Sequence, residues 1–392
     1  MPTPDAVPLS LRKRLVFGLF TAALALGLFE GAARLVAGEP PPSDMVARIS
    51  QCRVVAHEDT GWLDCQPGSM EDVSAPLAPS PDRKRVVFLG GSSVRESHVR
   101  GRPTFAAAIG ERLPGIEVLN FGATGMTVAN VARLASELDV LQPDLVVIYS
   151  GHNDYNGDVF RGSIRGTRLW MVPVHRFLEK SWLHGLLARR ARGLPAGDRP
   201  TARVMTVEDD FALELRADVD ARYAHDLELA VTESPAPVVL CTLLRNPEYP
   251  PSGVYAPDHP DCSQRLPGLE GPRRQADRRV EQSEQACGES SITWWNRALS
   301  HADRGDEVQA VEAWYASLDA DALPVRAPHS ADPIVRAVAE RTGVRLVDLE
   351  QTLGPLADPA FFTDTLHFSA EGTEAIADVL APVIADELGL QP

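Results

Sequence analysis

Short apolar runs alternate with stretches of helical periodicity along most of the chain. Five runs are dominated by apolar residues, at 85–89, 116–120, 145–149, 237–243 and 344–349. Helical spacing occurs between and after them, at 104–113, 128–141, 219–232, 332–342 and 370–388. Continuous apolar strands separated by helices are typical of a parallel sheet covered on both faces. The pattern therefore predicts a three-layer α/β/α domain.

A basic cluster and an apolar run lie near the start of the chain. Three basic residues at 12–14 precede the apolar residues 15–29, the order found in export signals. This run is short for a membrane span, but pairing of Glu30 with Arg34 would extend it. We expect an uncleaved membrane anchor or a cleaved signal over residues 1–37, and either would place the remainder outside the cytoplasm.

The chain contains five cysteines, which agree with export. Cys52 and Cys65 form one near pair and Cys262 and Cys287 another, both in polar, loop-like sequence that a disulfide would stabilise. The pairing stays open, because four cysteines allow three connectivities. Cys241 lies within an apolar run and is expected to be a buried free thiol. No spacing of Cys and His indicates zinc.

Composition and charge exclude some classes of function. Hydrophobic residues make up 44% of the 392 positions and charged residues 23%, so the chain can form a core and is not disordered throughout. The net charge of −16 repels phosphate backbones and argues against nucleic acid as a partner.

Residues 38–84 are rich in proline and predict a stalk followed by an irregular lead-in.

Glycines and polar residues follow the predicted strands. Ser92 comes after the first strand in a Gly-Gly-Ser-Ser turn, a loop reaching Gly125 follows the second, and Asn153 follows the third. Asp364 and His367 lie three apart before the closing helix, where the carboxylate can orient the imidazole. Each signal alone also fits an ordinary loop or cap. In parallel sheets, however, binding sites lie at the carboxyl ends of the strands.

Taken in order, these blocks resemble the SGNH (GDSL-type) hydrolase family. The resemblance covers roughly residues 84–155 and 331–388 and implies a flavodoxin-like, five-stranded parallel sheet, the SGNH hydrolase fold. Gly91 departs from the family pattern, which usually has Asp there. His152 replaces a more usual small residue before Asn153 and is a candidate substrate contact.

The resemblance also implies a mechanism. Ser92 would attack an ester carbonyl, His367 would act first as base and then as acid, and Asp364 would orient the imidazole. The backbone N–H groups of Ser92 and Gly125 and the side chain of Asn153 would form the oxyanion hole. No metal and no cofactor is implied.

The hydrolase domain is predicted over residues 85–390, with insertions at about 156–210 and 245–329. Within the second insertion, a segment at about 295–321 resembles the turn and second helix of one tetratricopeptide repeat. A helical hairpin packed on the catalytic domain is favoured over a partner-binding array, because a single repeat cannot form a solenoid. Arg326 follows this segment and is a second candidate substrate contact at the rim of the site.

Three functions are compatible with these residues. The leading one is a serine esterase that removes acyl groups, acetyl among them, from a glycan or lipid outside the cytoplasm. The alternative is an O-acyltransferase that acts on an envelope polysaccharide with the same Ser, His and Asp set. The third is a non-catalytic envelope scaffold that uses the helical insertion, which an intact catalytic set argues against.

Overall fold

A computed structural model describes residues 11–37, 51–57, 60–66, 73–95, 104–156, 203–205, 216–256, 258–259, 262 and 276–390. The chain divides into two compact units. The N-terminal helix is the described part of the first unit. The second unit, Val46–Leu169 with Asp198–Pro392, contains all the other described residues.

Strands and helices alternate through most of the described residues. The strands are β1 (Gln51–His57), β2 (Thr60–Gln66), β3 (Val73–Pro76), β4 (Lys84–Gly90), β5 (Ile116–Gly122), β6 (Leu145–Tyr149), β7 (Arg203–Met205), β8 (Val238–Cys241), β9 (Gly253–Tyr255) and β10 (Arg345–Val347). The helices are α1 (Leu11–Ala37), α2 (Ser92–Arg95), α3 (Phe105–Arg112), α4 (Val128–Glu137), α5 (His152–Tyr155), α6 (Arg216–Thr232), α7 (Ala276–Cys287), α8 (Ser291–Arg304), α9 (Glu307–Asp319), α10 (Ala331–Thr342), α11 (Leu349–Leu353) and α12 (Ala370–Glu387). Short 3₁₀ turns occur at Leu138–Leu141 and Pro359–Phe361.

The central sheet has five parallel strands in the order β10-β8-β6-β4-β5. Counted along the chain, this is the flavodoxin-like order 2-1-3-4-5. The apolar residues of β4 are buried on both faces of the sheet, as expected for a central parallel strand. Helix α3 packs against α12, and α6 packs against both α4 and α10. The predicted fold class is confirmed.

The fourth strand is shorter than the apolar run that predicted it. Strand β8 ends at Cys241, although the apolar pattern continues to residue 243. The N–H of Leu243 donates to Oδ1 of Asp332 at 2.8 Å instead of to a neighbouring strand. A buried side chain thus ends the ladder, because it satisfies the backbone donor that the next strand would otherwise pair.

A small antiparallel sheet occupies part of the predicted irregular lead-in. Strands β1, β2 and β3 pair in sequence order. Cys52 lies directly opposite Cys65 in the register, but the side chains of this pair are outside the described residues. The N–H of Val54 donates to Oε2 of Glu137 at 2.8 Å, which ties the sheet to α4.

The second insertion contains a helical hairpin with its own apolar core. Helices α8 and α9 are joined at Gly305, whose φ of +79° suits glycine at a helix C-terminus. Trp295 and Trp314 are buried in this core, together with the disulfide between Cys262 and Cys287. The resemblance to a tetratricopeptide repeat stays a prediction. Of the first predicted insertion, at about 156–210, the described residues are 156 and the strand β7.

The N-terminal segment forms the helix α1, in which Nε of Arg34 lies 3.0 Å from Oε1 of Glu30, as predicted. Among the described residues, however, no helix is long and apolar enough to cross a membrane. The uninterrupted apolar stretch covers residues 15–29 only, whereas a span needs about 20 apolar residues. The predicted localisation as a membrane-anchored protein is therefore wrong.

Thiol labelling of the purified protein tests the cysteine assignments. Cys241 is buried, and burial raises the pKa of its thiol to about 12, so we expect no reaction in the native state. After unfolding without reductant, Cys241 should react, whereas Cys262 and Cys287 should react only after reduction. Peptide mass mapping assigns each label. Labelling of Cys262 or Cys287 in unreduced protein would contradict the disulfide.

Candidate active site

Two glycines shape the turn that carries Ser92. A Cβ atom on Gly90, the last residue of β4, would overlap the carbonyl oxygen of Tyr149 on the adjacent strand β6. Glycine at this position lets the two strands stay paired up to their carboxyl ends. The carbonyl oxygen of Gly91 accepts from the N–H of Val94, and Ser92 begins the short helix α2. Ser92 is thereby presented at the carboxyl edge of the sheet.

Ser92, His367 and Asp364 form a continuous chain of hydrogen bonds. Nε2 of His367 lies 2.8 Å from Oγ of Ser92, and Nδ1 lies 2.6 Å from Oδ2 of Asp364. With the proton on Nδ1 directed at the carboxylate, the lone pair of Nε2 faces the serine hydroxyl. This is the tautomer that a general base needs. The structure brings together the three residues that the sequence predicted as catalytic.

The local turn orients the Asp364 carboxylate. Oδ1 accepts from the backbone N–H groups of Leu366 and His367, both at 2.9 Å, which leaves Oδ2 for the imidazole. Burial acts to raise the pKa of Asp364, but hydrogen bonds from the His367 ring and from these N–H groups outweigh it and lower the pKa to about 2. Asp364 is therefore an anion throughout the neutral range.

Three segments meet at the place where an oxyanion would form. Nδ2 of Asn153 donates to the carbonyl oxygen of Met126 at 2.9 Å, and a Cβ atom on Gly91 would lie 2.5 Å from the same nitrogen. Gly125, next to Met126, has a φ of +73°, which favours glycine. The amide nitrogen carries two hydrogens, so one remains for an ester oxygen. This arrangement is compatible with the oxyanion roles predicted for Gly125 and Asn153.

The carboxylate next to Asn153 fixes the helix that carries it. Both oxygens of Asp154 lie 3.1 Å from the N–H of Val128, at the start of α4. Burial and the nearby Asp226 raise the pKa of Asp154 to about 7, although the Val128 N–H opposes the shift. The contact ties α5, and with it Asn153, to the loop that contains Gly125.

His152 lies beside the site but is buried and neutral. Its Nδ1 accepts from the N–H of Ala327 at 3.2 Å, so the proton is on Nε2, which lies 3.4 Å from the hydroxyl oxygen of Tyr149. Burial, followed by the positive charge of Arg245, lowers the pKa of His152 well below its usual value. Both ring nitrogens contact protein groups, which differs from the predicted role in substrate contact.

Arg326 also lies inside the domain rather than at the rim of the site. Its side chain is 2% exposed and donates to the carbonyl oxygens of Asn246 and Tyr249 at 2.9 and 2.6 Å. The guanidinium lies over the Trp314 ring, 4.6 Å from its centroid. The chain after α9 turns inward here, so the Arg326 guanidinium lies against backbone carbonyl groups and the Trp314 ring.

Sequence reasoning missed Asn246, which contacts the catalytic turn. Its Nδ2 donates to the carbonyl oxygen of Asp364 at 3.0 Å. The position carried a usable signal, because Asn246 follows a predicted strand just as Asn153 does. Ser93, the second serine of the turn, donates to the carbonyl oxygen of Leu366 at 3.2 Å, whereas the His367 ring contacts Ser92.

The polar groups at this sheet edge comprise a hydroxyl, an imidazole, a carboxylate and amide donors. Such a set can activate the hydroxyl, attack a carbonyl carbon and stabilise the resulting oxyanion. Within the described ranges, no group of three or more His, Cys, Asp and Glu side chains is arranged to hold a metal ion.

No protein-family model matches the chain, and no curated protein matches it either. Among solved structures, a lipase/acylhydrolase from Enterococcus faecalis is similar at 16% identity and a TM-score of 0.36, over 79% of this chain and 98% of that chain. The psychrotrophic esterase EstA from a Pseudoalteromonas species is similar at 12% identity and 0.35, over 78% and 99%. AlinE4, an SGNH-hydrolase family esterase, is similar at 12% and 0.29, over 79% and 98%. The likeness concerns the fold alone, so the chemistry rests on this chain's own residues.

The space at Gly91 yields a steric prediction. Gly91→Ala should push the Asn153 amide aside, because the new Cβ atom would lie 2.5 Å from Nδ2. Reaction of Ser92 with a short phosphonate ester, followed by mass spectrometry, should slow about 10- to 100-fold, since a misplaced oxyanion donor costs up to about 3 kcal/mol.

Gly115→Ala is the matched control for this substitution. Its new Cβ atom would meet Leu390 at 3.5 Å, an ordinary contact away from the site, so the rate should stay at the wild-type value. Equal rates for Gly91→Ala and the wild type would contradict the steric argument.

Proposed function

We propose that the protein is a serine hydrolase of the SGNH type that cleaves carboxylic esters. The observation that carries the proposal is the 2.8 Å contact between Nε2 of His367 and Oγ of Ser92, with Asp364 on the other ring nitrogen. A serine hydroxyl is a weak nucleophile near neutral pH and needs such a base. The neighbouring amide of Asn153 supports acyl chemistry, because oxyanions form in attack on carbonyl carbons.

The reaction proceeds in two steps through an acyl-enzyme. Oγ of Ser92 bonds to the ester carbon while its proton moves to Nε2 of His367, and the carbonyl oxygen becomes an oxyanion. The bond to the alcohol oxygen then breaks, and the alcohol leaves with the proton from Nε2. Water attacks the acyl-enzyme by the same route, its proton passing through His367 to Ser92. The product is a carboxylic acid, and Asp364 stabilises the imidazolium in both steps.

We extend the proposal to esters of small acyl groups, acetyl among them, on the hydroxyls of a glycan or a lipid. Ser92 is only 7% exposed, which favours an acyl group that fits a narrow opening. The net charge of −16 favours neutral esters over anionic ones, because the field of the protein repels anions. An acetylated glycan, with released acetate measured over time, is the direct substrate test.

The two serines of the turn provide a matched pair of variants. Ser92→Ala removes the nucleophile and should lower hydrolysis of a soluble acetyl ester by at least about 1000-fold. Ser93→Ala loses only the hydrogen bond to Leu366 and should keep kcat within about fivefold of the wild type. The assignment fails if Ser92→Ala retains wild-type turnover, or if Ser93→Ala is the inactive variant.

The pH–rate profile separates the roles of the two histidines. Activity should fall on acidification, because a protonated His367 cannot accept the Ser92 proton. Asp364 does not contribute to this change, since its pKa is about 2 and it stays ionised. His152 does not contribute either, because its lowered pKa keeps it neutral.

His152→Gln is therefore expected to leave the acidic limb in place, whereas His367→Ala should abolish turnover. Rates on one soluble ester, measured across a buffer series for each variant, provide the comparison. Disappearance of the acidic limb in His152→Gln would identify His152 as the base instead.

A further inference from the structure

A buried polar junction connects the helical hairpin to the catalytic turn. The chain that leaves α9 runs inward to Arg326 before α10 begins. The segment after β8 meets it there, at Asn246, which is 3% exposed. The two residues have no place in the mechanism above, yet both are polar and nearly fully buried. Such groups destabilise a fold unless their hydrogen bonds are made.

Arg326 uses both terminal nitrogens on one short backbone segment. Nη1 donates to the carbonyl oxygen of Asn246 at 2.9 Å, and Nη2 donates to that of Tyr249 at 2.6 Å. Trp314 of α9 covers the guanidinium, and Asp321 supplies a nearby negative charge. A planar guanidinium can span two carbonyl groups in this way, which a lysine ammonium cannot do with the same geometry.

Asn246 in turn holds the backbone of the catalytic turn at two consecutive residues. Its Nδ2 donates to the carbonyl oxygen of Asp364, and its backbone N–H donates to that of Thr365, both at 3.0 Å. Its Oδ1 accepts from the N–H of Glu248 at 3.0 Å, which fixes the orientation of the amide. Asn246 therefore holds the backbone of the turn at Asp364 and Thr365, next to the carboxylate and ahead of the imidazole of His367.

The residue after Arg326 contacts the segment that carries Asn153. The N–H of Ala327 donates to Nδ1 of His152, which directly precedes Asn153. The carbonyl oxygen of Ala327 accepts from Nε of Arg245 at 2.6 Å. The segment with Arg326 and Ala327 thus contacts two parts of the site. It is linked to the turn that carries His367 through Asn246, and to the segment that carries Asn153 through His152.

We propose that Asn246 and Arg326 are positioning residues that hold the Asp364–His367 turn in register with Ser92. The inference rests on the proposed function for its kinetic readout. Because a displacement of about 1 Å at a catalytic group can cost on the order of 100-fold in rate, loosening the turn should lower kcat. Both residues are buried against protein groups, so we expect KM to change little.

Three variants test the junction. Asn246→Ala removes the donor to Asp364, and Asn246→Asp removes it with nearly the same shape. Arg326→Lys keeps the charge but not the span between two carbonyl groups. Ser317→Ala is the matched control, because Ser317 is fully buried within the hairpin and donates only to the carbonyl oxygen of Ser291. Values of kcat are expressed per site titrated to completion with a phosphonate ester, so partial unfolding does not alter them.

We expect kcat to fall about 10- to 100-fold in the Asn246 variants and less in Arg326→Lys, with KM within about threefold. The double variant Asn246→Ala with Arg326→Lys should lose less than the product of the two single losses, because Arg326 reaches the turn through the backbone of Asn246. Ser317→Ala should retain the wild-type kcat. Wild-type kcat in either folded Asn246 variant, or fully additive losses in the double variant, would overturn the proposal.

A spectroscopic readout separates this proposal from the proposed function. The proton between Nδ1 of His367 and Oδ2 of Asp364 should give a low-field proton resonance, assigned by its absence in Asp364→Ala. The resonance should shift or broaden in both Asn246 variants and persist in Ser317→Ala. An unchanged resonance in the Asn246 variants refutes positioning even if the wild type hydrolyses no ester. If the wild type hydrolyses esters and the Asn246 variants keep the wild-type kcat and resonance, the positioning proposal is refuted and the proposed function stands.

Discussion

The close pairing of β4 with β6 at their carboxyl ends is the constraint on which the site depends. Gly90 lets the backbone of β4 approach the carbonyl oxygen of Tyr149, and the turn that carries Ser92 starts from that point. The Tyr149 ring then packs edge-on against Phe368, with ring centroids 5.8 Å apart, and Phe368 directly follows His367. The same strand pair therefore sets the positions of both the hydroxyl and the imidazole, although they lie 275 residues apart.

Contacts with distant residues are needed to place the catalytic turn relative to Ser92, but not to form the turn itself. Its internal geometry is local, because Oδ1 of Asp364 is held by two N–H groups of the following residues and Oδ2 is left for the His367 ring. What the turn cannot supply is its distance from Ser92. Packing of Phe368 and the hydrogen bonds from Asn246 supply it, so the carboxylate and imidazole are docked onto the sheet edge as one preformed unit.

Local patterns predicted the parallel sheet, because strand periodicity is a property of neighbouring positions. The roles of Ser92, Asp364 and His367 followed from the resemblance to the SGNH hydrolase family. Contacts between distant segments left no such pattern. Arg326 had the polarity of a surface residue, and only its approach to the carbonyl oxygens of Asn246 and Tyr249 makes it a buried one. The register that places Cys52 opposite Cys65 depends on backbone pairing, which proline-rich sequence conceals. For the N-terminal helix, the pairing of Glu30 with Arg34 was predicted correctly. A paired charge still does not count as an apolar residue, so the pair does not lengthen the apolar stretch enough for a membrane span.

Buried charge at the junction explains why the hairpin and the catalytic domain are joined through backbone rather than through apolar contact alone. Arg245 donates to the carbonyl oxygens of Ala327 and Pro328 and pairs with Asp332 at 2.6 Å, so its charge is compensated where it lies. Two carbonyl groups of the irregular segment between α9 and α10 are thus satisfied by a guanidinium that stays protonated at neutral pH. Removal of one partner would leave a buried charge or a buried carbonyl unpaired, which costs more than the contact contributes. Substitutions on the exposed faces of the hairpin leave no buried group unpaired. They can therefore change its surface while the junction of Asn246, Arg326 and their partners keeps its geometry.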